Sequence, residues 1–255
     1  MIRKEDLKLS SYEHIKGLQK QICDRCKKSR MYYCCDCRTP LPGVFTPNVK
    51  LPCDIDVVKH KGERNSKSTA LHCKIAAPEQ TRVFDCHPYR NGSEVVQEYS
   101  ENDEEGATVL VYPSPNAMSI EEFVKSRGKI KRFVVLDCTW NQVHGMKMLP
   151  QIKDLPCVML KKYRTAYWRP QYKKDDSCLA TIEAIYYALR EYQQYGLDKE
   201  YNGEYDDLFY WFFIGYDRFM ENKETHGKRQ LENENKEVEN EDEQEEATKR
   251  SKTSE

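Results

Sequence analysis

Three short, unbroken apolar runs constrain this chain more than any other feature: Thr108-Val109-Leu110-Val111-Tyr112, Phe133-Val134-Val135-Leu136 and Cys157-Val158-Met159-Leu160. A strand with one wet face alternates apolar and polar residues. Continuous runs rich in β-branched side chains predict strands covered on both faces. Stretches of helical character lie between and beside them, near 119–126 and 142–148. Leu179, Ile182, Ile185, Tyr186 and Leu189 then recur at helical spacing behind Asp175-Asp176-Ser177, whose side chains are N-cap candidates. A last helix is expected over 206–222, with Phe209, Tyr210, Trp211, Phe212 and Phe213 in its packed part. Strands alternating with helices predict an α/β domain with a mainly parallel sheet.

The rest of the composition is polar: 38% of the 255 residues are hydrophobic and 33% are charged. No run approaches the roughly 20 apolar residues of a membrane helix. Residues 1–20 carry charges throughout and lack a signal-peptide core, so an intracellular protein with no membrane partner is expected. The last thirty residues hold ten acidic and six basic side chains, net −4, which leaves the preceding 225 at +3. A mildly basic body fits a nucleic-acid partner, and equally an ordinary solvated surface. The expected organisation is a lead over 1–20, a cysteine module over 21–40, an α/β domain over 41–224 and a disordered charged tail over 225–255. Lys228-Arg229 and Lys249-Arg250-Ser251-Lys252 in that tail are nuclear-import candidates, so a nuclear location, with the cytoplasm beside it, is expected.

Eleven cysteines, an odd number without a secretory signal, argue against a disulfide framework. Cys23-x2-Cys26-x7-Cys34-x2-Cys37 offers two thiolate pairs that can grip one tetrahedral ion, and zinc prefers such ligands. Cys35 is an alternative to Cys34 as third ligand, and free thiols or an iron–sulfur cluster are the other readings. With all four positions filled by protein, the zinc would be structural. Arg25, Lys27, Lys28, Arg30 and Arg38 surround the site with Tyr32 and Tyr33 between them, which suits RNA contact or plain solvation.

The run Phe133–Leu136 should end at Asp137-Cys138-Thr139-Trp140. This places Asp137 at the carboxyl end of a parallel strand, the edge where open α/β sheets bind ligands. A carboxylate there is partly desolvated, hence a better base. Thr139 could cap a helix or bond a ligand, and Trp140 could stack on a purine or fill the core. Further on, the segment 161–174 interleaves Lys161, Lys162, Arg164 and Arg169 with Tyr163, Tyr167 and Trp168. Cations for phosphates and rings for splayed bases are the grammar of single-stranded RNA binding, and also of a solvated loop with tucked-in rings.

The Asp137–Trp140 motif, followed by Leu179-Ala180-Thr181-Ile182-Glu183-Ala184, resembles the DTW-domain family. The paired cysteines and Thr108–Pro113, a strand running into a Pro-containing loop, are similar to that family's, and the features share its order from Cys23 to Tyr216. The resemblance implies a SPOUT-like α/β fold, of a kind whose chain can be knotted. It implies transfer of the 3-amino-3-carboxypropyl group of S-adenosyl-L-methionine to N3 of a tRNA uridine, forming acp3U in the D-loop and releasing methylthioadenosine. Asp137 would be the catalytic base. Tyr112, Pro113, Leu136, Asp137, Thr139, Trp140, Leu179, Thr181 and Glu183 would hold the co-substrate, with Glu183 facing the ammonium of the transferred group or serving as a helix-start charge. Two positions depart from the family pattern: Cys138 at the variable motif position, and Ala180 where a serine is frequent. A non-catalytic zinc-containing RNA-binding adaptor and an S-adenosylmethionine-dependent RNA methyltransferase are the rival readings, and the oligomeric state is left open.

Overall fold

The computed structural model describes residues 1–88, 99, 106–168 and 175–225. Arg169 and the charged tail from 226 onward lie outside the described residues. A sheet of six strands forms the core of the fold: β1 Asp54–His60, β2 Thr81–Cys86, β3 Ala107–Val111, β4 Met118–Ser119, β5 Ile130–Asp137 and β6 Cys157–Met159. Their order across the sheet is β2-β1-β5-β3-β6-β4. All five pairings are parallel, as the apolar runs require.

Helices cover both faces. α1 (Ala70–Ala76), α2 (Ile120–Arg127) and α4 (Thr181–Gly196) lie on one side, where Phe133 of β5 meets the Tyr192 ring edge-on at 5.9 Å. On the other side, α3 (Val143–Lys147) and the segment after it bring Met146, Leu149 and Ile152 against Val58, Leu110 and Val134. α2 begins with a reciprocal cap: Ser119 Oγ accepts from the Glu122 N–H, and the Glu122 carboxylate accepts from the Ser119 N–H. At the start of β3, Gly106 adopts φ +129°, and a Cβ there would sit 2.8 Å from the Lys129 carbonyl oxygen. Only glycine allows the register shift between β3 and β5 at that point.

Two differences from the sequence expectations have identifiable causes. β1 and β2 were not expected as strands, because Asp54, Asp56, Lys59 and His60 break the apolar signal of the first. Asp56 is fully buried and accepts from Arg82 at 2.7 and 2.8 Å, Arg132 at 2.9 Å and Tyr99 at 2.6 Å, so its charge is matched inside the sheet. α4 starts at Thr181, not near Ser177: the Asp175 carboxylate is used in a local turn by the Ser177 N–H and hydroxyl, and Glu183 caps the Ala180 N–H instead. The lead contains two single 3₁₀ turns, Lys4–Asp6 and Glu13–Ile15, in otherwise irregular chain. After the 3₁₀ turn Asp206–Phe209, a helix runs over 210–225. No described helix is long and apolar enough to cross a membrane.

Candidate active site and metal centre

Asp137 closes β5 at the carboxyl edge of the sheet and is only 4% exposed. Ser68 Oγ donates to its Oδ2 at 2.6 Å and Thr181 Oγ1 to its Oδ1 at 2.7 Å. The carboxylate therefore joins β5 to the segment before α1 and to the first residue of α4. Burial pushes its pKa above the ordinary value, against the pull of the two hydroxyls and of the Lys59 charge. Thr181 is half-buried, whereas the carboxylate it bonds is buried.

Beyond Asp137 the chain turns sharply. The Thr139 N–H donates to Gln142 Oε1 at 3.0 Å, and the Gln142 N–H returns a bond to the Thr139 carbonyl at 2.8 Å. Thr139 is exposed and Trp140 is 44% exposed, so the indole is presented outward and not spent in the core. On the neighbouring strand end, Tyr112 is half-buried and Pro113 exposed, with the Lys147 ammonium 4.8 Å over the Tyr112 ring. Leu136 packs against the α3-side core, and Leu179 is half-buried just before α4. The ends of β3 and β5 and the start of α4 thus meet at one edge.

Two buried carboxylates of α4 organise the segment that follows β6. Glu183, with no exposed surface, accepts from the Ala166 N–H and the Thr165 hydroxyl at 2.6 Å each and from the Ala180 N–H at 2.7 Å. Glu191 accepts from the Lys161 N–H and the Tyr163 hydroxyl, both at 2.9 Å. Burial raises both pKa values and these donors oppose it. Both Glu183 oxygens accept hydrogen bonds from inside the fold. The rings of the segment turn inward: Tyr163 stacks on Tyr187 at 3.5 Å, and Trp168 meets Phe212 edge-on at 4.9 Å. Its cations turn outward: Lys161, Lys162 and Arg164 are exposed, and Arg164 pairs with the exposed Asp176 at 3.3 Å.

The cysteine module is two small hairpins. Gln21–Ile22 pairs with Ser29–Arg30, and Tyr33–Cys34 with Thr39–Pro40, each antiparallel. After each Cys pair one residue takes a left-handed conformation, Lys27 at φ 58° and Arg38 at φ 57°. This repeated turn aims four sulfurs at one point. The Sγ atoms of Cys23, Cys26, Cys34 and Cys37 lie within 4.8 Å of one another, with Cys26–Cys34 at 3.5 Å and Cys23–Cys37 at 3.8 Å. Tetrahedral zinc with sulfur at about 2.3 Å needs sulfurs about 3.8 Å apart, so the donor set fits that ion. Cys35 is buried outside the set, which selects Cys34 as the third ligand.

The DTW domain family model matches residues 20–220. The chain belongs to the DTW-domain family. Curated relatives of this DTW chain include tRNA-uridine aminocarboxypropyltransferase 1 of Xenopus tropicalis, 31% identical with 88% of each chain covered. The Mus musculus protein of that name is 31% identical over 88% of this chain and 86% of its own. The Homo sapiens one is 31% identical over 89% and 86%. Among solved structures, the SAM-dependent rRNA:acp-transferase Tsr3 from Vulcanisaeta distributa is 15% identical, with a TM-score of 0.34 over 54% of this chain and 65% of that one, too distant to carry an argument. In this DTW domain the motif residues split by environment: Asp137 is buried and clamped, while Thr139 and Trp140 face out. Sequence reasoning missed Ser68 and Lys59. A serine in a polar loop and a lysine in a broken apolar run carry no local signal of a partner far along the chain.

Proposed function

We propose that this chain transfers the 3-amino-3-carboxypropyl group of S-adenosyl-L-methionine to N3 of a tRNA uridine, in the D-loop, forming acp3U. The observation that carries the reading is near-full-length similarity to proteins of that activity, with the Asp137–Thr181–Ser68 cluster at the ligand-binding edge of a parallel sheet. The sulfonium of the co-substrate supplies an activated γ-carbon and leaves as a neutral thioether, so the reaction calls for orientation and loss of the N3 proton, not for an acid.

The residues suit those two tasks. Asp137 is the proton acceptor, and the Thr181 hydroxyl passes the proton to it: Thr181 gives its own proton to Oδ1 as it takes the one from N3. Burial keeps the carboxylate basic, and Ser68 fixes its orientation. Tyr112, Pro113, Leu136, Trp140 and Leu179 shape the co-substrate pocket, with Thr139 beside them. Glu183 contributes by holding the wall of that pocket rather than by touching the ligand. Lys161, Lys162, Arg164 and Arg169 contact tRNA phosphates. Cys23, Cys26, Cys34 and Cys37 hold structural zinc. The SPOUT-like, knotted path and a nuclear location belong to the same proposal, the latter resting on the basic clusters of the tail.

The test is to incubate unmodified tRNA with the protein and S-adenosylmethionine and to read nucleosides by mass spectrometry. An aminocarboxypropyl uridine is the expected product. A methylated nucleoside would make the protein a methyltransferase. RNA binding without co-substrate binding or product would make it an adaptor.

A further inference from the structure

Lys59 stands in the middle of a row of charges that crosses three strands. In the parallel register it lies opposite Asp85 of β2 on one side and Asp137 of β5 on the other. It is 2% exposed. Its Nζ is 2.9 Å from Asp85 Oδ1 and donates to the Glu63 carbonyl at 2.8 Å. One buried ammonium thus faces two carboxylates. The fourth charge comes from outside the sheet. Arg38, the left-handed residue directly after Cys37, reaches across to bond the Asp85 carboxylate and the Val83 carbonyl, the latter at 3.0 Å.

We propose that Arg38 of the cysteine module completes the charge balance of this row, freeing Lys59 to act as a positioning residue for Asp137. Without Arg38, Asp85 and Asp137 would share the single Lys59 cation that stands between them, and less of its charge would fall to Asp137. With Arg38 on Asp85, the Lys59 charge is available to hold Asp137 ionised. A second tie runs in parallel. Asp36 of the module accepts from Asn65 at 2.8 Å, and residue 65 belongs to the segment whose Ser68 orients Asp137. The module therefore sets both the charge and the position of the acceptor, through Arg38 and Asp36. The other groups that face Asp137 are Glu63, Cys138, Ser68 and Thr181; the two hydroxyls carry no charge, and Glu63 and Cys138 are themselves raised by burial.

Arg38→Gln keeps the chain length and removes the charge, whereas Arg38→Lys keeps the charge. Two readouts apply to the full chain with its metal content measured. In Arg38→Gln the acid limb of the kcat–pH profile should move up by about half to one pH unit, with turnover recovering on the alkaline side, and Arg38→Lys should restore the limb. Amide exchange over residues 61–69 should become about tenfold faster in Arg38→Gln at unchanged metal content. The activity readout rests on the proposed transfer reaction, whereas the exchange readout does not. A wild type without transfer activity would overturn that reading and leave exchange to decide this one. A fixed acid limb with unchanged exchange overturns the coupling. So does a fall in stability that leaves the limb in place, since packing alone would do that. Should Arg38→Gln fail to fold, Lys59→Met takes its place: it leaves Asp85 paired with Arg38 and removes the cation beside Asp137, so it should move the limb in the same direction. A limb that stays put in that variant overturns the proposal.

Discussion

Asp137 is a buried strut of the fold that the proposed reaction also uses as its acid–base group. Its two oxygens are spent on hydroxyls, yet a hydroxyl bond is one through which a proton can pass. Asp137→Asn should fold normally, because an amide can accept from one hydroxyl and donate to the other. Turnover should fall about 100- to 10,000-fold, measured under saturating co-substrate. Near wild-type turnover in the folded variant would remove the base role. Stability gives a separate check. The folded pKa of Asp137 is raised above its unfolded value near 3.8, so the folded state holds its proton longer. That group's contribution is greatest below the unfolded pKa and declines as pH rises through the folded one. Asp137→Asn should lose this decline, and calorimetry at neutral pH should find it no less stable than wild type. Thr181→Val, which keeps shape and removes the relay, should reduce turnover with co-substrate affinity, measured by calorimetric titration, nearly unchanged.

Buried carboxylates tie the elements around the site together beside their apolar contacts. Glu183 binds the start of α4 to residues 165 and 166 through three donors. Glu183→Ala would leave those donors unsatisfied, at roughly 1–3 kcal/mol for each that water cannot reach. A lowered Tm with faster amide exchange over 161–168 is expected; an unchanged Tm would mean that the segment is held elsewhere. The same segment offers its cations to solvent. Lys162→Ala with Arg164→Ala should weaken tRNA binding and reduce its salt slope by about one to two, and equal slopes would assign both residues a role apart from phosphate. At the opposite end of the sheet, Gly106→Ala adds a Cβ 2.8 Å from a backbone oxygen in a conformation that side chains rarely take. A chemical-denaturation midpoint well below wild type is expected, since neither backbone can yield cheaply.

Across the whole molecule, the cysteine module is fastened to the sheet by charge and by rings. Tyr33 lies 5.1 Å from Trp211 and 6.1 Å from His72 of α1, and Asp36 is held by Lys28, Arg30 and Asn65. Cys26→Ser should therefore lose metal and also lower the stability of the module's neighbours, because structural zinc contributes folding energy directly. Elemental analysis and thermal denaturation read this together; full metal content in the variant would exclude Cys26 as a ligand. What the sequence by itself determined is whatever is local. Three apolar runs announced β3, β5 and β6, paired cysteines announced the four-sulfur cluster, and the four-residue motif at the end of β5 announced the candidate site. What only the tertiary structure decided is the interior strand β1, the choice of Cys34 over Cys35 in the sulfur cluster, the inward turn of Tyr163 and Trp168, and the row Asp85–Lys59–Asp137 with Arg38 beside it. Hydrophobic periodicity is written residue by residue along a strand, whereas the partner that makes a buried charge tolerable stands on another strand, tens of residues away, and is visible only once the strands lie side by side.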